Sequence, residues 1–178
     1  MTSLADRGLA NTSTLKVQED AQVSRGSLLH HFPSKATLLV AAVRQLAVDR
    51  FSAATSEPPA STDGQRIDEA IDLLWSMYDG PLFWAAIELW IGARQDGTLR
   101  DILEVEERKL GHVVDEMCDE LFGPQIAALP DYSDFRDVLI TSMRGIALTY
   151  SFDKREMSSE PLLRKWKSLA RFCLKIRD

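Results

Sequence analysis

The residues best suited to recognition chemistry lie together near the start of the chain. Residues 23–35 offer a guanidinium, a hydroxyl and two imidazoles, at Arg25, Ser27, His30 and His31. Arginine can reach guanine O6 and N7 in the major groove, and serine can bond to base edges or to phosphate. A short helix that carries these four side chains is suited to insertion into a DNA groove.

The elements that must position these side chains are short helices. Ser24 is a suitable N-cap, and Phe32-Pro33 ends the helix after about two turns, because proline disfavours a helical conformation in the residue before it. Ser34 can then cap another helix that starts at Lys35. A preceding helix, predicted over about residues 14–21, completes a helix-turn-helix.

The segment from Val23 to Lys35 resembles the signature of the tetracycline-repressor (TetR) family of one-component transcriptional regulators. That signature reads Val-Ser-[Arg/Lys]-Gly-[Thr/Ser]-Leu-Tyr-His-His-Phe-x-[Ser/Asn]-Lys, and Leu29 is the clear exception. The resemblance implies an all-α fold. It also implies a helix-turn-helix DNA-binding domain over residues 1–50, followed by a helical ligand-binding and dimerisation domain over residues 51–178.

The residues expected to contact DNA lie in the two short helices and at the start of the next one. They are Thr12, Ser13, Ser24, Arg25, Gly26, Ser27, His30, His31 and Lys35. The resemblance assigns phosphate contacts to His30 and Lys35, and Gly26 permits close approach. A twofold dimer would place two recognition helices about 34–36 Å apart on a near-palindromic operator. The alternative is a core connector with solvated His and Arg side chains.

The predicted DNA-binding domain, residues 1–50, is called the head below. It departs from the family pattern in four ways. Leu29 replaces a tyrosine, Gln22 replaces the glycine of the tight turn, and Gln18 replaces a small alanine. In addition, Leu4 to Gly8 matches only the last turn of the family's first helix, so most of that helix is expected to be missing. These departures favour the alternative of a truncated or degenerate member that dimerises and binds a small molecule without binding DNA specifically.

Composition and charge fit a small domain joined to a larger one. The first 50 residues hold six basic and four acidic side chains, whereas the remaining 128 hold fifteen and twenty-three. A basic head on an acidic body suits a protein whose head alone meets phosphates. Cys118 and Cys173 are predicted to be reduced thiols. No secretion signal and no membrane span are recognised, so we expect a cytoplasmic location.

Helical spacing of apolar residues recurs along the body, and no strand pattern is found. A long helix is predicted from Lys35 to about Ala53, and residues 55–64 form the expected linker. Five further helices are predicted over residues 65–77, 81–91, 99–122, 134–152 and 160–176. The helix that Pro81 opens is apolar almost all round, so we expect it to be the buried centre of the body.

The body combines large apolar side chains with a few polar ones, which suits a largely apolar small-molecule inducer. The residues expected to bind it are Trp75, Tyr78, Trp84, Glu88, His112, Met117, Met143 and Tyr150. Three alternatives stay open. The Trp and Met residues could be ordinary core, Glu88 could be a buried carboxylate paired with Arg94 or Arg144, and His112 could be solvated.

The last two helices have apolar positions that extend beyond one stripe, which indicates burial against two partners. We expect a four-helix homodimer interface. Its residues are Val138, Ile146, Tyr150, Leu162, Trp166, Leu169 and Cys173, whereas Leu163 and Phe172 are assigned to the other side of the last helix. The alternative is that both sides are simply core.

Catalytic, metal and cofactor chemistry have little support in the sequence. It holds no nucleophile elbow, no phosphate-binding glycine loop and no cysteine pair at ligand spacing. His112 and Glu116 share a helix face, but two ligands do not make a metal site. We therefore expect no catalytic residue, no metal, no cofactor and no enzyme activity. The sequence leaves open the identity of the ligand, the operator, and whether the protein represses or activates.

Overall fold

In a computed structural model of the protein, residues 32, 34–54, 62–153 and 155–176 are described, Lys35 by its backbone alone. Every regular element within these residues is helical and none is a strand, which confirms the all-α class. The helices are α1 (Lys35–Ala54), α2 (Asp63–Ser76), α3 (Pro81–Ala93), α4 (Gly97–Phe122), α5 (Pro124–Ala127), α6 (Tyr132–Thr149) and α7 (Leu162–Leu174). A 3₁₀ turn (Met157–Ser159) precedes α7.

Side-chain caps set the starts of the first two helices. At α1, the Thr37 N–H donates to Ser34 Oγ (3.1 Å) and the Ser34 N–H donates to Thr37 Oγ1 (3.0 Å). This reciprocal pair confirms Ser34 as the predicted cap. At α2, the Thr62 N–H donates to Gln65 Oε1. Because this cap lies at Thr62, α2 begins at Asp63, and the prediction of a linker that extends to residue 64 is wrong.

The other long helices of the body begin and end close to where their local signals predicted. Pro81 opens α3 as the first helical residue, and α4 ends at Gly123-Pro124. The short helix α5 and the 3₁₀ turn were not predicted. The two short helices predicted before Phe32 lie outside the described residues.

The chain divides into two compact units. Among the described residues, the first unit contains those up to Arg50 and Gly80–Val113, and the second contains Phe51–Asp79 and those from Val114 onward. Two of the three boundaries therefore fall within α1 and α4, and the third lies between α2 and α3. Packing groups α3 and the first part of α4 with α1, whereas the sequence assigned them to the body. The division of function between residues 1–50 and 51–178 stays a prediction.

The first unit has an aliphatic core in which α1, α3 and α4 meet. Its buried members are Leu39, Val40 and Val43 from α1, Ala85, Leu89 and Ala93 from α3, and Leu99 and Leu103 from α4. Helix α3 is not the fully buried centre of the body, because Ile91 is 59% exposed and Glu88 is also exposed. Ala85, Leu89 and Ala93 of α3 pack in the core of the first unit, whereas Glu88 and Ile91 are exposed to solvent.

The second unit has an aromatic core centred on Trp75. Its ring centroid lies 5.3 Å from that of Trp166, 5.9 Å from that of Tyr78 and 5.9 Å from that of Tyr150. The Trp75 Nε1–H donates to the Met157 carbonyl (2.7 Å), and the Trp166 Nε1–H donates to Ser142 Oγ (2.9 Å). Because each indole has an acceptor, both tryptophans are buried at low cost.

Polar contacts fix α2 against its neighbours in the second unit. Lys167 pairs with Asp72 (2.6 Å) and Arg171 with Asp68 (2.8 Å). On the other side, Arg66 donates from Nε to the Leu121 carbonyl (3.0 Å) and from Nη2 to the Glu120 carbonyl (3.0 Å). These carbonyls belong to the last turn of α4, so Arg66 satisfies acceptors that a helix end leaves open.

Candidate functional site

The residues expected to contact DNA lie almost entirely outside the described residues. Lys35 is the exception, because its backbone forms the first position of α1. The structure does describe the junction that follows the recognition segment. There Phe32 and Ser34 are half-buried, and the Ser34–Thr37 cap fixes the point at which α1 begins. The recognition segment is therefore joined directly to a helix with a defined start.

The residues expected to bind a ligand divide between the two units. Five are in the second unit: Trp75, Tyr78, Met117, Met143 and Tyr150. Trp84, Glu88 and His112 are in the first unit. Within the second unit, Tyr78 and Tyr150 lie beside the ring of Trp75. Met117 and Met143 are 4% and 0% exposed, as core residues are.

The two tyrosines beside Trp75 both use their hydroxyl groups. The Tyr78 hydroxyl donates to the Ile140 carbonyl (3.2 Å), and the Tyr150 hydroxyl donates to Glu160 Oε2 (2.8 Å). Burial raises the pKa of Tyr78 to about 12, against an opposing effect of Arg144. Partial burial and then the Glu160 hydrogen bond raise the pKa of Tyr150 to about 12. Both phenols are therefore neutral donors at physiological pH.

Glu160 is a buried charge that the sequence reasoning missed. It is 5% exposed, and its Oε1 accepts from the Leu162 N–H (3.0 Å) at the start of α7. Its Oε2 lies 3.4 Å from Arg155, whose guanidinium carbon is 4.9 Å from the centroid of the Tyr150 ring. A cap, a phenol and a cation thus compensate the carboxylate. The sequence offered one signal for this role of Glu160, because an acidic residue directly before a proline is typical of the start of a helix.

The polar candidates of the first unit are not buried. Glu88 is exposed, so it is not the buried carboxylate that the alternative expects. His112 is also exposed, as the solvated alternative expects, and Trp84 is half-buried with its ring 5.1 Å from that of Phe83. All three residues belong to the first unit.

The residues expected at a dimer interface differ in exposure. Val138 on α6 is 59% exposed and Leu169 on α7 is 41% exposed. Ile146, Tyr150, Leu162 and Cys173 are half-buried. Trp166 is only 5% exposed and packs on Trp75, which places it in the core and outside any interface surface. Conversely, Phe172, which was assigned to the other side of the helix, is 81% exposed.

Neither a metal cluster nor a membrane span is found in the part of the chain that the structure describes. No three His, Cys, Asp or Glu side chains there converge as metal ligands would. None of the described helices combines the length and the apolar character needed to cross a membrane.

Comparison with known proteins supplies what the described residues do not show. The family model "Bacterial regulatory proteins, tetR family" matches residues 1–42. The HTH-type transcriptional regulator CymR of Pseudomonas putida is 26% identical over 156 residues, which cover 85% of this chain and 75% of CymR. The HTH-type transcriptional regulator BetI of Burkholderia mallei is 27% identical over 112 residues, which cover 61% of this chain and 57% of BetI.

A solved structure shares the fold of the chain. Salmonella enterica GusR superimposes with a TM-score of 0.62 at 17% identity, over 98% of this chain and 91% of GusR. The helix-turn-helix family match and the regulator relatives support a DNA-binding transcriptional regulator rather than an enzyme. The family model and the regulator relatives together support membership of the tetR family of bacterial regulatory proteins.

Proposed function

We propose that the protein is a cytoplasmic, homodimeric repressor that binds a near-palindromic operator and is released by a small, largely apolar inducer. The observation that carries the proposal is the recognition segment, residues 23–35. It lies within the residues that match the family model and leads directly into the capped start of α1.

The proposed DNA contacts divide into positioning and reading. His30 and Lys35 bind phosphates, and Thr12 and Ser13 do so from the start of the preceding helix. Arg25 reads guanine in the major groove, where a bidentate contact is worth about 1–3 kcal/mol of discrimination. Because phosphate contacts supply much of the affinity, binding should weaken steeply as the salt concentration rises.

The proposed inducer acts on an equilibrium between two separations of the DNA-binding heads. It must bind one state better than the other, because equal affinity would shift nothing. The Trp75 cluster, which consists of Trp75, Tyr78, Tyr150 and Trp166, is the best-supported contact region for the inducer. It combines apolar rings with two neutral phenols. A polar inducer group that bonds to Tyr78 would compete with the Ile140 carbonyl for its hydroxyl.

The proposed dimer pairs α6 and α7 of one protomer with the same helices of its partner. Val138, Leu169 and Phe172 supply exposed apolar surface on these two helices. The proposed pairing would remove this apolar surface from water. A twofold pairing would also give the two heads the symmetry of a palindromic operator.

The test is fluorescence anisotropy of the protein on overlapping duplexes that cover the DNA around its own gene, at two salt concentrations. We expect tight binding to one near-palindromic duplex, weakened by salt but resistant to unrelated competitor DNA. Weak binding that is equal on all duplexes, from a folded dimer, would contradict the proposal.

A second candidate function is ligand binding by a dimer that does not bind DNA specifically. The departures at Leu29, Gln22 and Gln18 favour it, because the family pattern has at these positions a tyrosine that can bond to phosphate, a turn glycine and a small alanine. This candidate predicts that a small apolar ligand raises the melting temperature while no duplex gives a specific anisotropy change.

A further inference from the structure

Helix α1 is the element whose position matters most to the recognition segment. It begins at Lys35, the last residue of that segment. In the first unit its apolar side chains, Leu39, Val40 and Val43, contact small and aliphatic residues of α3 and α4. The hydrophobic effect that favours these contacts is itself non-directional.

A charged contact between α1 and α4 adds direction to this packing. Arg44 lies nine residues beyond the start of α1, about 14 Å along the helix axis. Its Nε is 3.4 Å from Oε2 of Glu106 on α4. This separation exceeds the 2.7–2.9 Å typical of a charge-assisted hydrogen bond. The Nε atom of Arg44 is buried and has no hydrogen-bond partner among the described residues.

Glu106 has a second and closer cation. Its Oε1 lies 2.7 Å from Nζ of Lys109, which is three residues further along α4. The carboxylate is therefore shared between a tight partner on its own helix and a looser partner on α1. Both side chains of the looser pair are partly shielded, at 37% exposed for Arg44 and 23% for Glu106. Shielding strengthens the attraction and makes an unsatisfied donor costly.

We propose that the ion pair between Arg44 and Glu106, called the latch below, holds α1 in the position required for DNA binding. Lys109 competes with Arg44 for the Glu106 carboxylate. Closing the latch requires Arg44 and Glu106 to approach by well under 1 Å, a shift of the size that packed helices can transmit to larger movements. Arg44 and Glu106 are positioning residues in this proposal, since neither belongs to the recognition segment. The proposal rests on the proposed function.

The test measures operator affinity and stability for matched variants, with the near-palindromic duplex that the wild-type protein binds as the probe. We expect Arg44→Gln and Glu106→Gln each to weaken binding about fivefold, as for the loss of a partly shielded ion pair. The double variant should bind no more weakly than either single variant, because all three lose the same contact. The charge exchange Arg44→Glu with Glu106→Arg should restore affinity to within about twofold.

Two controls separate the latch from a general effect of charge. Glu104→Gln removes an exposed partner of Arg108 on the same helix, where the pair is 2.6 Å apart, and should leave affinity unchanged. Lys109→Gln releases Glu106 to Arg44 and should leave affinity unchanged or strengthen it. If Lys109→Gln instead weakens binding as Glu106→Gln does, the relevant partner is Lys109 and the proposal is wrong.

The remaining outcomes distinguish the latch from the function on which it rests. If the wild-type protein binds a specific duplex and the latch variants bind it equally well while their melting temperatures fall, the pair only holds the helices together and the latch is overturned. If the wild-type protein binds no duplex specifically, the proposed function itself fails and the latch fails with it.

Discussion

The two units of the molecule are stabilised by different kinds of contact. The core of the first unit, around Leu39, Leu89 and Leu103, is an aliphatic cluster. The core of the second unit is built on Trp75 and Trp166, whose indole N–H groups each donate to a defined acceptor. The buried hydrogen bonds therefore specify the arrangement of the second unit's core, whereas the core of the first unit depends on the close fit of aliphatic side chains.

The largest expected effect compares two tryptophans. Trp75→Ala should lower the free energy of unfolding by about 3–5 kcal/mol, because it opens a large cavity in the aromatic core. Trp84→Ala, at a half-buried position in the first unit, should cost clearly less. Urea denaturation followed by circular dichroism measures both. Equal losses of unfolding free energy in the two variants would show that the aromatic core does not contribute more to stability than a half-buried tryptophan does.

The next prediction concerns the C-terminal end of α4, where Arg66 bonds to the last carbonyls of the helix. Gly123 has φ of +84°, and a Cβ atom there would lie 2.6 Å from the Arg66 guanidinium carbon. Gly123→Ala should therefore destabilise the protein by about 1–3 kcal/mol, through backbone strain and displacement of Arg66.

Gly111 provides the matched control for this substitution. It lies inside α4, and a Cβ atom added there would have no neighbour within 4 Å outside the helix's own backbone. Gly111→Ala should stabilise the protein by about 0.5–1 kcal/mol, since alanine is the better helix former. The same thermal or urea unfolding assay serves for both variants. A loss at both positions, or at neither, would contradict the assigned role of the Arg66 contact.

A smaller, pH-dependent effect is expected in the second unit. Burial raises the pKa of Cys118 from 9.0 to about 12 and of Tyr78 from 10.0 to about 12. Because the folded-state values are raised, their stabilising contribution is complete below pH 9 and is lost as the pH approaches 12. Urea unfolding at a series of alkaline pH values should show this decline, and Tyr78→Phe should reduce it. A flat profile would argue against burial of these groups.

The smallest effect on folding is expected at Phe172. Because this side chain is 81% exposed, Phe172→Ser should change the free energy of unfolding of the isolated chain by no more than about 0.5 kcal/mol. If α7 forms the dimer surface, the same variant should dissociate more readily in sedimentation experiments. An unchanged dimer would place the interface elsewhere.

Local sequence signals predicted most helix boundaries. Pro81, Gly123-Pro124 and the Ser34 cap each act within a few residues, so their effect can be recognised without the fold. The same kind of signal also explains the error in the linker. The Thr62 and Gln65 pair starts α2 earlier than the apolar pattern alone indicated.

Long-range packing set what the sequence could not predict. Trp166 and Phe172 both occur in a wide apolar stripe, and only the contact with Trp75 shows which of them lies in the core. The roles of Glu160 and Arg66 could not be predicted for the same reason. Glu160 accepts from Tyr150, and Arg66 donates to the last carbonyls of α4, and the position of each partner is known only from the fold. Periodicity identifies apolar faces but does not assign their neighbours.

The most direct test of the central claim is a DNase footprint of the protein on the DNA upstream of its own gene. The account predicts one protected near-palindrome whose half-sites are about one helical turn, or about 34–36 Å, apart. Protection should disappear with Arg25→Ala at the same protein concentration. Uniform protection, or none from a folded dimer, would contradict the assignment of residues 23–35 as a sequence-reading element.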